Sequence, residues 1–182
     1  MLGIDPCRED IQKVINSRFP TNAQFIACGL QDLSQNYCFD LIVFYRSFHE
    51  LEGIDLSDAI VKARRLLKPD GKILIIEQDP ECELFKIHDY NHFGLDLFKD
   101  PEKDKLLRVQ DCIKEINHQS AILKTNIGFG DIEDFCDIQL QEKNPDELFK
   151  ALVEIAIINT TTINPGKPFF VEDIMNMYLI SR

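Results

Sequence analysis

The sequence predicts an α/β fold with a mostly parallel sheet and helices on both faces. Two observations carry this. The stretch from Phe39 to Glu77, FDLIVFYRSFHELEGIDLSDAIVKARRLLKPDGKILIIE, reads strand, loop, helix, turn, strand, an order that forms a right-handed parallel crossover. Its strand segments, Leu41 to Tyr45 and Ile73 to Ile76, are continuous apolar runs without polar alternation. Such runs mark strands buried on both faces, as in a parallel sheet covered by helices.

The other elements follow along the chain. Leu2 to Asp5 is a short apolar segment closed by an acid and Pro6. In REDIQKVINSRF, residues Ile11, Val14, Ile15 and Phe19 recur at helical spacing on one face, and Pro20 and Asn22 end that helix. Phe25 to Cys28 is a second apolar run, followed by Gly29. Asp55 is placed to cap the next helix, because its carboxylate can accept an orphan backbone N–H. Leu56, Ile60, Ala63 and Leu67 form that helix's buried stripe. Lys68-Pro69-Asp70-Gly71 reads as a tight turn, with proline pre-set for the second position and glycine closing it. Leu106, Val109, Ile113 and Ile116 predict a helix from Glu102 to Asn117. Phe135 to Gln141 reads as a strand, Asn144-Pro145-Asp146-Glu147 opens a helix through Leu148, Leu152 and Ile155, and Met175 to Ser181 is the last strand. With no repeat, low-complexity tract or linker, residues 1–182 are expected to form a single domain. A helical cover is expected over residues 80–123, which hold an aromatic set (Phe85, Tyr90, Phe93, Phe98) and three of the four histidines.

The composition excludes some functions. A length of 182 residues supports one domain with a real core. No apolar run approaches the roughly 18 residues a membrane helix needs. The N-terminus lacks the basic-then-apolar pattern of a secretion signal, so a cytoplasmic protein is expected. Six scattered cysteines with no C-x-x-C pair point to buried, reduced thiols rather than a disulfide framework or zinc site. A net charge of −11 would repel phosphates, which argues against nucleic acid and for a small molecule or protein as partner.

Several segments together carry a resemblance. ARRLLKPDGKILIIE reads as a helix, turn and strand; FDLIVFYRSFHEL as the strand and loop before them; LGID as a strand ending in an acid; Cys28 to Leu33 as a loop; and Gly128-Phe129-Gly130-Asp131 as a glycine-phenylalanine turn. In this order they resemble a class I S-adenosylmethionine-dependent methyltransferase domain from its second strand onward. The resemblance implies a Rossmann-like methyltransferase fold missing the first strand-helix unit. It also implies transfer of a methyl group from S-adenosylmethionine to a small-molecule acceptor. The residues matching the cofactor-binding positions are Asp5, Pro6, Gly29, Leu30, Gln31, Phe44, Tyr45 and Arg46. Asp5 would accept the ribose hydroxyl protons, a role suited to a carboxylate at the end of a parallel strand; helix capping is its other reading.

Two departures from the family pattern matter. Only 38 residues precede Phe39, too few for the family's first strand and its glycine-rich loop. Gly29 stands where many members carry an acid that binds the adenine amine. Gln31, Asp32 or the backbone would have to make that contact. The chain therefore reads as a partial domain. The alternative function is a non-catalytic, degenerate or truncated domain acting as a binding or scaffold module. Open strand edges would also favour a homo-oligomer.

Among catalytic candidates, His49 and Tyr45 follow the strand that begins at Phe39. A neutral imidazole there could take a proton from the acceptor, or serve only as a structural hydrogen-bonding group. His88 and His92 would share a helix face near Asp89 and Asp96, but spacing supplies no third ligand, so no metal is expected. A hydrolase is disfavoured because no G-x-S-x-G occurs.

Overall fold

The computed structural model describes residues 1–17, 22–34, 36–83, 101–139 and 168–182. The helix expected from Asn144 and the segment with His88, His92 and its aromatic neighbours lie outside them. Strand β1 (Leu2–Asp5) leads through helix α1 (Arg8–Asn16) to β2 (Gln24–Ala27), and β1 and β2 pair in parallel. After a short 3-10 turn (Leu30–Asp32) come β3 (Phe39–Tyr45), α2 (Leu56–Arg65) and β4 (Leu67–Gln78), and β3 and β4 pair in parallel as the crossover requires. Then follow α3 (Pro101–Lys114), β5 (Gln119–Phe129), α4 (Ile132–Gln139) and β6 (Phe169–Ser181).

These strands form two sheets, β1-β2 and β3-β4-β6-β5. In the larger one β6 runs antiparallel to both β4 and β5. The sheet is therefore mixed rather than mostly parallel. The apolar runs that announced β3 and β4 fix only their own crossover; they hold no information on the direction of a strand that joins from the far end of the chain. The β5–β6 ladder runs from Gln119↔Leu179 to Phe129↔Phe169, long enough to set that direction by backbone pairing alone.

The core lies between α2 and the β3-β4 sheet. Ala59, Ile60 and Ala63 of α2 are buried with Ile73 and Ile75 of β4, Phe44 of β3, Val109 and Ile113 of α3, and Leu30 and Leu33 near the 3-10 turn. Each large apolar side chain in this set contributes about 1.5–3 kcal/mol by leaving water. Leu2 and Ile4 of β1 pack against the same cluster, which ties the small sheet to the large one. Asp55 caps α2 as expected, its carboxylate accepting the N–H of Ser57 at 2.8 Å.

Several local expectations are corrected. β3 is not buried on both faces: Leu41 and Val43 are each 49% exposed and Tyr45 64%. The reason is positional: among the described strands β3 is the edge of its sheet, with β4 its neighbour there. Lys68-Pro69-Asp70-Gly71 is not a turn between elements but a bulge within β4. Two steps along β3, Phe39 to Leu41, face five along β4, Leu67 to Lys72. A Cβ at Gly71 would lie 2.9 Å from the Phe39 carbonyl oxygen, so the bulge needs glycine for a close backbone approach. Phe135 begins no strand. It lies in α4, where the Asp131 carboxylate accepts the N–H of Asp134 at 2.9 Å, and a side-chain cap outweighs the short apolar run. Ile15 of α1 is exposed while Ile11 is buried. Cys7 and Cys38 are exposed and Cys28 and Cys112 half-buried; only Cys82, among those described, is a buried thiol. Within the 80–123 stretch, α3 is helical but Gln119 to Leu123 already belong to β5.

Tyr178, half-buried on β6, has its phenol pKa raised above the usual 10.0, first by burial and then by the Asp79 and Glu77 carboxylates. The folded state thus holds this proton more tightly than the unfolded chain does. That contribution is complete below the unfolded pKa and is lost as pH rises through the folded one. Urea midpoints measured at about pH 9 and about pH 11 should fall less for Tyr178→Phe than for the parent chain. An equal fall in both would contradict this assignment.

Candidate functional site

A cavity of about 860 Å³ opens between the two sheets, within the range of roughly 300–1,000 Å³ typical of small-molecule sites. All of Leu2 to Asp5 lines one wall and all of Leu41 to Tyr45 the other. Pro6, Cys28, Gly29, Leu30 and Gln31 extend the first wall; Ser47, Glu50 and Glu52 extend the second.

The first wall is built from backbone geometry. Asp5 ends β1, and its Oδ1 accepts the N–H of Cys7 at 2.7 Å, which orients the entry to α1. The Cys28 N–H donates to the Asp5 carbonyl at 3.0 Å, closing the β2 exit against β1. The Gly29 N–H donates to Asp32 Oδ2 at 3.1 Å, while the Asp32 N–H donates to the Gly29 carbonyl at 3.2 Å. This reciprocal pair fixes the loop that presents Gly29, Leu30 and Gln31. Burial, and secondarily the Asp32 carboxylate, push the Cys28 thiol pKa up, so this thiol at the cavity wall is a poor nucleophile. Asp5, Cys7 and Asp10 bring one potential ligand atom each within 4.8 Å of one another. Their contacts are those of a helix start: Asp5 holds the Cys7 N–H, and Asp10 pairs with Lys13 at 2.6 Å.

The second wall depends on one carboxylate. Glu77, near the carboxyl end of β4, is only 2% exposed. Its Oε1 accepts the N–H groups of Ser47 (3.1 Å), Phe48 (2.6 Å) and His49 (3.3 Å). Its Oε2 lies 2.7 Å from His49 Nδ1. Burying a charge is costly unless hydrogen bonds satisfy it, and here three amides and a ring nitrogen do so. Because a carboxylate only accepts, Nδ1 carries a proton. His49 Nε2 then lies 3.3 Å from Glu50 Oε1, and Glu50 Oε2 takes Lys105 Nζ at 2.7 Å.

The turn that feeds this nest is strained. Arg46 has φ +47°, in the left-handed region, which costs a non-glycine residue about 1–2 kcal/mol. Its N–H donates to the Ile76 carbonyl at 2.8 Å and its guanidinium to Gln78 Oε1 at 3.1 Å. Gln78 in turn donates to Asp173 Oδ1 at 2.7 Å.

Asp5, Pro6, Gly29, Leu30, Gln31, Phe44 and Tyr45 thus come together around one cavity. Arg46 and His49 do not line it. Arg46 reaches across the end of β4, and His49, 8% exposed, sits behind Glu50. Sequence reasoning missed Glu77, which it took only as the end of a strand, and the buried Gln78 and Asp173. A signal was present, since an acid and an amide directly follow the apolar run ILII.

Residues 1–75 match the model of the family described as a methyltransferase domain. No curated protein matches the chain by sequence. Among solved structures, a candidate Type II methyltransferase from Anaeromyxobacter dehalogenans is 12% identical, with 99% of this chain and 79% of that one covered and a TM-score of 0.62. A candidate methyltransferase from Bacillus halodurans is 12% identical, with 99% and 81% covered and a TM-score of 0.60. The YcgJ protein from Bacillus subtilis is 16% identical, with 100% and 82% covered and a TM-score of 0.56. A plantazolicin methyltransferase solved with a pentazolic desmethyl analogue and SAH is 14% identical, with 100% and 67% covered and a TM-score of 0.50. At these identities the likeness shows the fold alone: the chain is built on the same α/β plan as these structures.

Replacing Glu77 by alanine would leave three amides and an imidazole without their acceptor. Urea unfolding of Glu77→Ala should show a loss of about 3 kcal/mol, and Glu77→Gln, which keeps one oxygen, a smaller loss. A loss below about 1 kcal/mol in Glu77→Ala would show that the nest is not structural.

Proposed function

We propose that this chain transfers a methyl group from S-adenosylmethionine to a small-molecule acceptor. The observation that carries the reading is the cavity that runs along β1 and β3 and reaches their carboxyl ends, where Asp5, the Gly29–Gln31 loop and Tyr45 wall it. Ligands of α/β sheets bind at the carboxyl ends of strands, where neighbouring connections diverge. The family match over residues 1–75 supports the same reading. So does the SAH bound by the plantazolicin methyltransferase of similar fold.

The residues present fit the cofactor. The Asp5 carboxylate can accept both ribose hydroxyl protons while Oδ1 keeps its bond to Cys7. The backbone of Gly29 and Leu30, with the Gln31 amide, borders the adenine side. Phe44 and Tyr45 border the methionine side. When bound, the sulfonium supplies an electrophilic methyl group, and alignment with the acceptor is most of what the protein must add. The Glu50 carboxylate at the wall favours positive charge in the cavity. A proton released by the acceptor would pass first to Glu50, with the His49 imidazole behind it and held in register by Glu77. Arg46 acts here by fixing the turn rather than by touching the cofactor. The net charge of −11 favours small acceptors over nucleic acid.

A second reading, a non-catalytic binding module, is favoured by one observation. The cavity runs along the whole of β1 and most of β3 instead of closing around the strand ends.

Calorimetric titration with S-adenosylmethionine separates the two. The enzyme reading predicts low-micromolar binding. Asp5→Asn, which keeps an oxygen for the Cys7 amide, should weaken it about tenfold, or ~1.4 kcal/mol. No heat at millimolar cofactor would remove the enzyme reading.

A further inference from the structure

We propose that Arg46 anchors the methyl acceptor, its guanidinium binding a carboxylate on that small molecule. The proposal rests on the methyltransferase reading and adds to it the acceptor's chemical class. The backbone of Arg46 fixes the turn after β3, while its side chain reaches across the end of β4. That side chain is exposed, and its Nη2 donates to Gln78 Oε1 at 3.1 Å. The partner is a neutral amide. A guanidinium carries five N–H groups in a planar fork, a shape that meets a carboxylate through two parallel bonds. Among the described residues no carboxylate forms an ion pair with Arg46.

The direction of that fork is set from behind. Gln78 is buried and its amide is held at both ends, Oε1 accepting from Arg46 and Nε2 donating to Asp173 Oδ1 at 2.7 Å. Asp173 is buried as well. Two buried side chains, one from β4 and one from β6, thus hold one exposed cation in place. Glu77, beside Gln78, does not compete for it, because both its oxygens are engaged by the Ser47–His49 turn. The left-handed backbone at Arg46, with φ +47°, would suit glycine or asparagine better. Outliers of this kind cluster where a side chain is aimed at a ligand.

Charge around the cavity points to the same place. Asp5, Glu50 and Glu52 line it and, among its described lining residues, no lysine or arginine does. These carboxylates suit a sulfonium and repel an acidic group. Arg46 stands between Tyr45 and Ser47, which both line the cavity. An acceptor can then put its nucleophile at the cavity mouth and its acidic group over the end of β4, away from the three carboxylates. Asp173 behind Gln78 and the net charge of −11 favour a singly charged carboxylate over a phosphate dianion.

The test uses the full chain with isotopically labelled arginine side chains, so that NMR reads the guanidinium directly. The Arg46 signal is the one missing from Arg46→Lys. Benzoate and its neutral counterpart benzamide are titrated with and without S-adenosylhomocysteine. The proposal predicts a saturable shift of the Arg46 signal by benzoate, with a Kd of about 1 mM, and none by benzamide. Benzoate affinity, followed on the ligand's own proton signals, should fall at least about tenfold in Arg46→Lys, which keeps the charge and loses the fork. No shift with benzoate, an equal shift with benzamide, or unchanged affinity in Arg46→Lys would each overturn it; a role confined to offsetting the Asp173 charge gives the first of these. Tighter binding of inorganic phosphate than of benzoate would overturn the carboxylate class. A saturable shift by S-adenosylhomocysteine alone, to which benzoate adds nothing, would make the cofactor's own carboxylate the occupant and overturn the acceptor assignment. Failure of S-adenosylhomocysteine to bind is a separate result: it removes the methyltransferase reading and the acceptor role with it, while the benzoate shift still reports whether Arg46 holds a carboxylate.

Discussion

One buried carboxylate governs the carboxyl end of the four-stranded sheet. Glu77 gathers the amides of Ser47, Phe48 and His49 and the His49 ring, and in doing so it sets the path of the chain after β3. The left-handed Arg46 is tolerated because that path and the Ile76 carbonyl over-determine it. Glu50 meets the cavity wall at the place it does because the turn before it is closed. Side chains that do not line the cavity thus decide where the cavity-facing ones stand.

The second constraint is the break between β1 and β3. Each is held by its crossover helix and its parallel neighbour, yet among the described residues the two sheets share no ladder. What joins them is apolar contact: Leu2 and Ile4 on one side, the α2 and β4 core on the other. The same break produces the cavity, since two diverging strand ends leave a crevice with a carboxylate on one side and an aromatic on the other. The cavity and the separation of the two described sheets are therefore two consequences of one arrangement.

Much of this was legible locally. The β3-α2-β4 unit was readable because its signals are short-range: an Asp55 cap, an apolar stripe and two apolar runs. Asp5 could be singled out because an acid closing a parallel strand stands where α/β folds place ligands, whereas Gly29 entered only through the family resemblance. Long-range features were hidden. The antiparallel entry of β6 depends on pairing across nearly the whole chain. Exposure of Leu41 and Val43 depends on what does not stand beside β3, and composition cannot show that. Pro69 and Gly71 are good turn residues, and a bulge uses the same chemistry, so only the β3 register separates the two. Glu77 was passed over because a strand-terminal acid is ordinarily solvated, and its burial becomes apparent only when the turn folds over it.

The central claim is that the crevice between β1 and β3 is where the methyl donor binds. Ultraviolet cross-linking of methyl-labelled S-adenosylmethionine to the full chain, followed by peptide mapping, tests it most directly. The account predicts label confined to peptides containing residues 1–6, 28–31 or 41–52. Label carried mainly by the β5–β6 ladder, at residues 119–129 or 169–181, would contradict it.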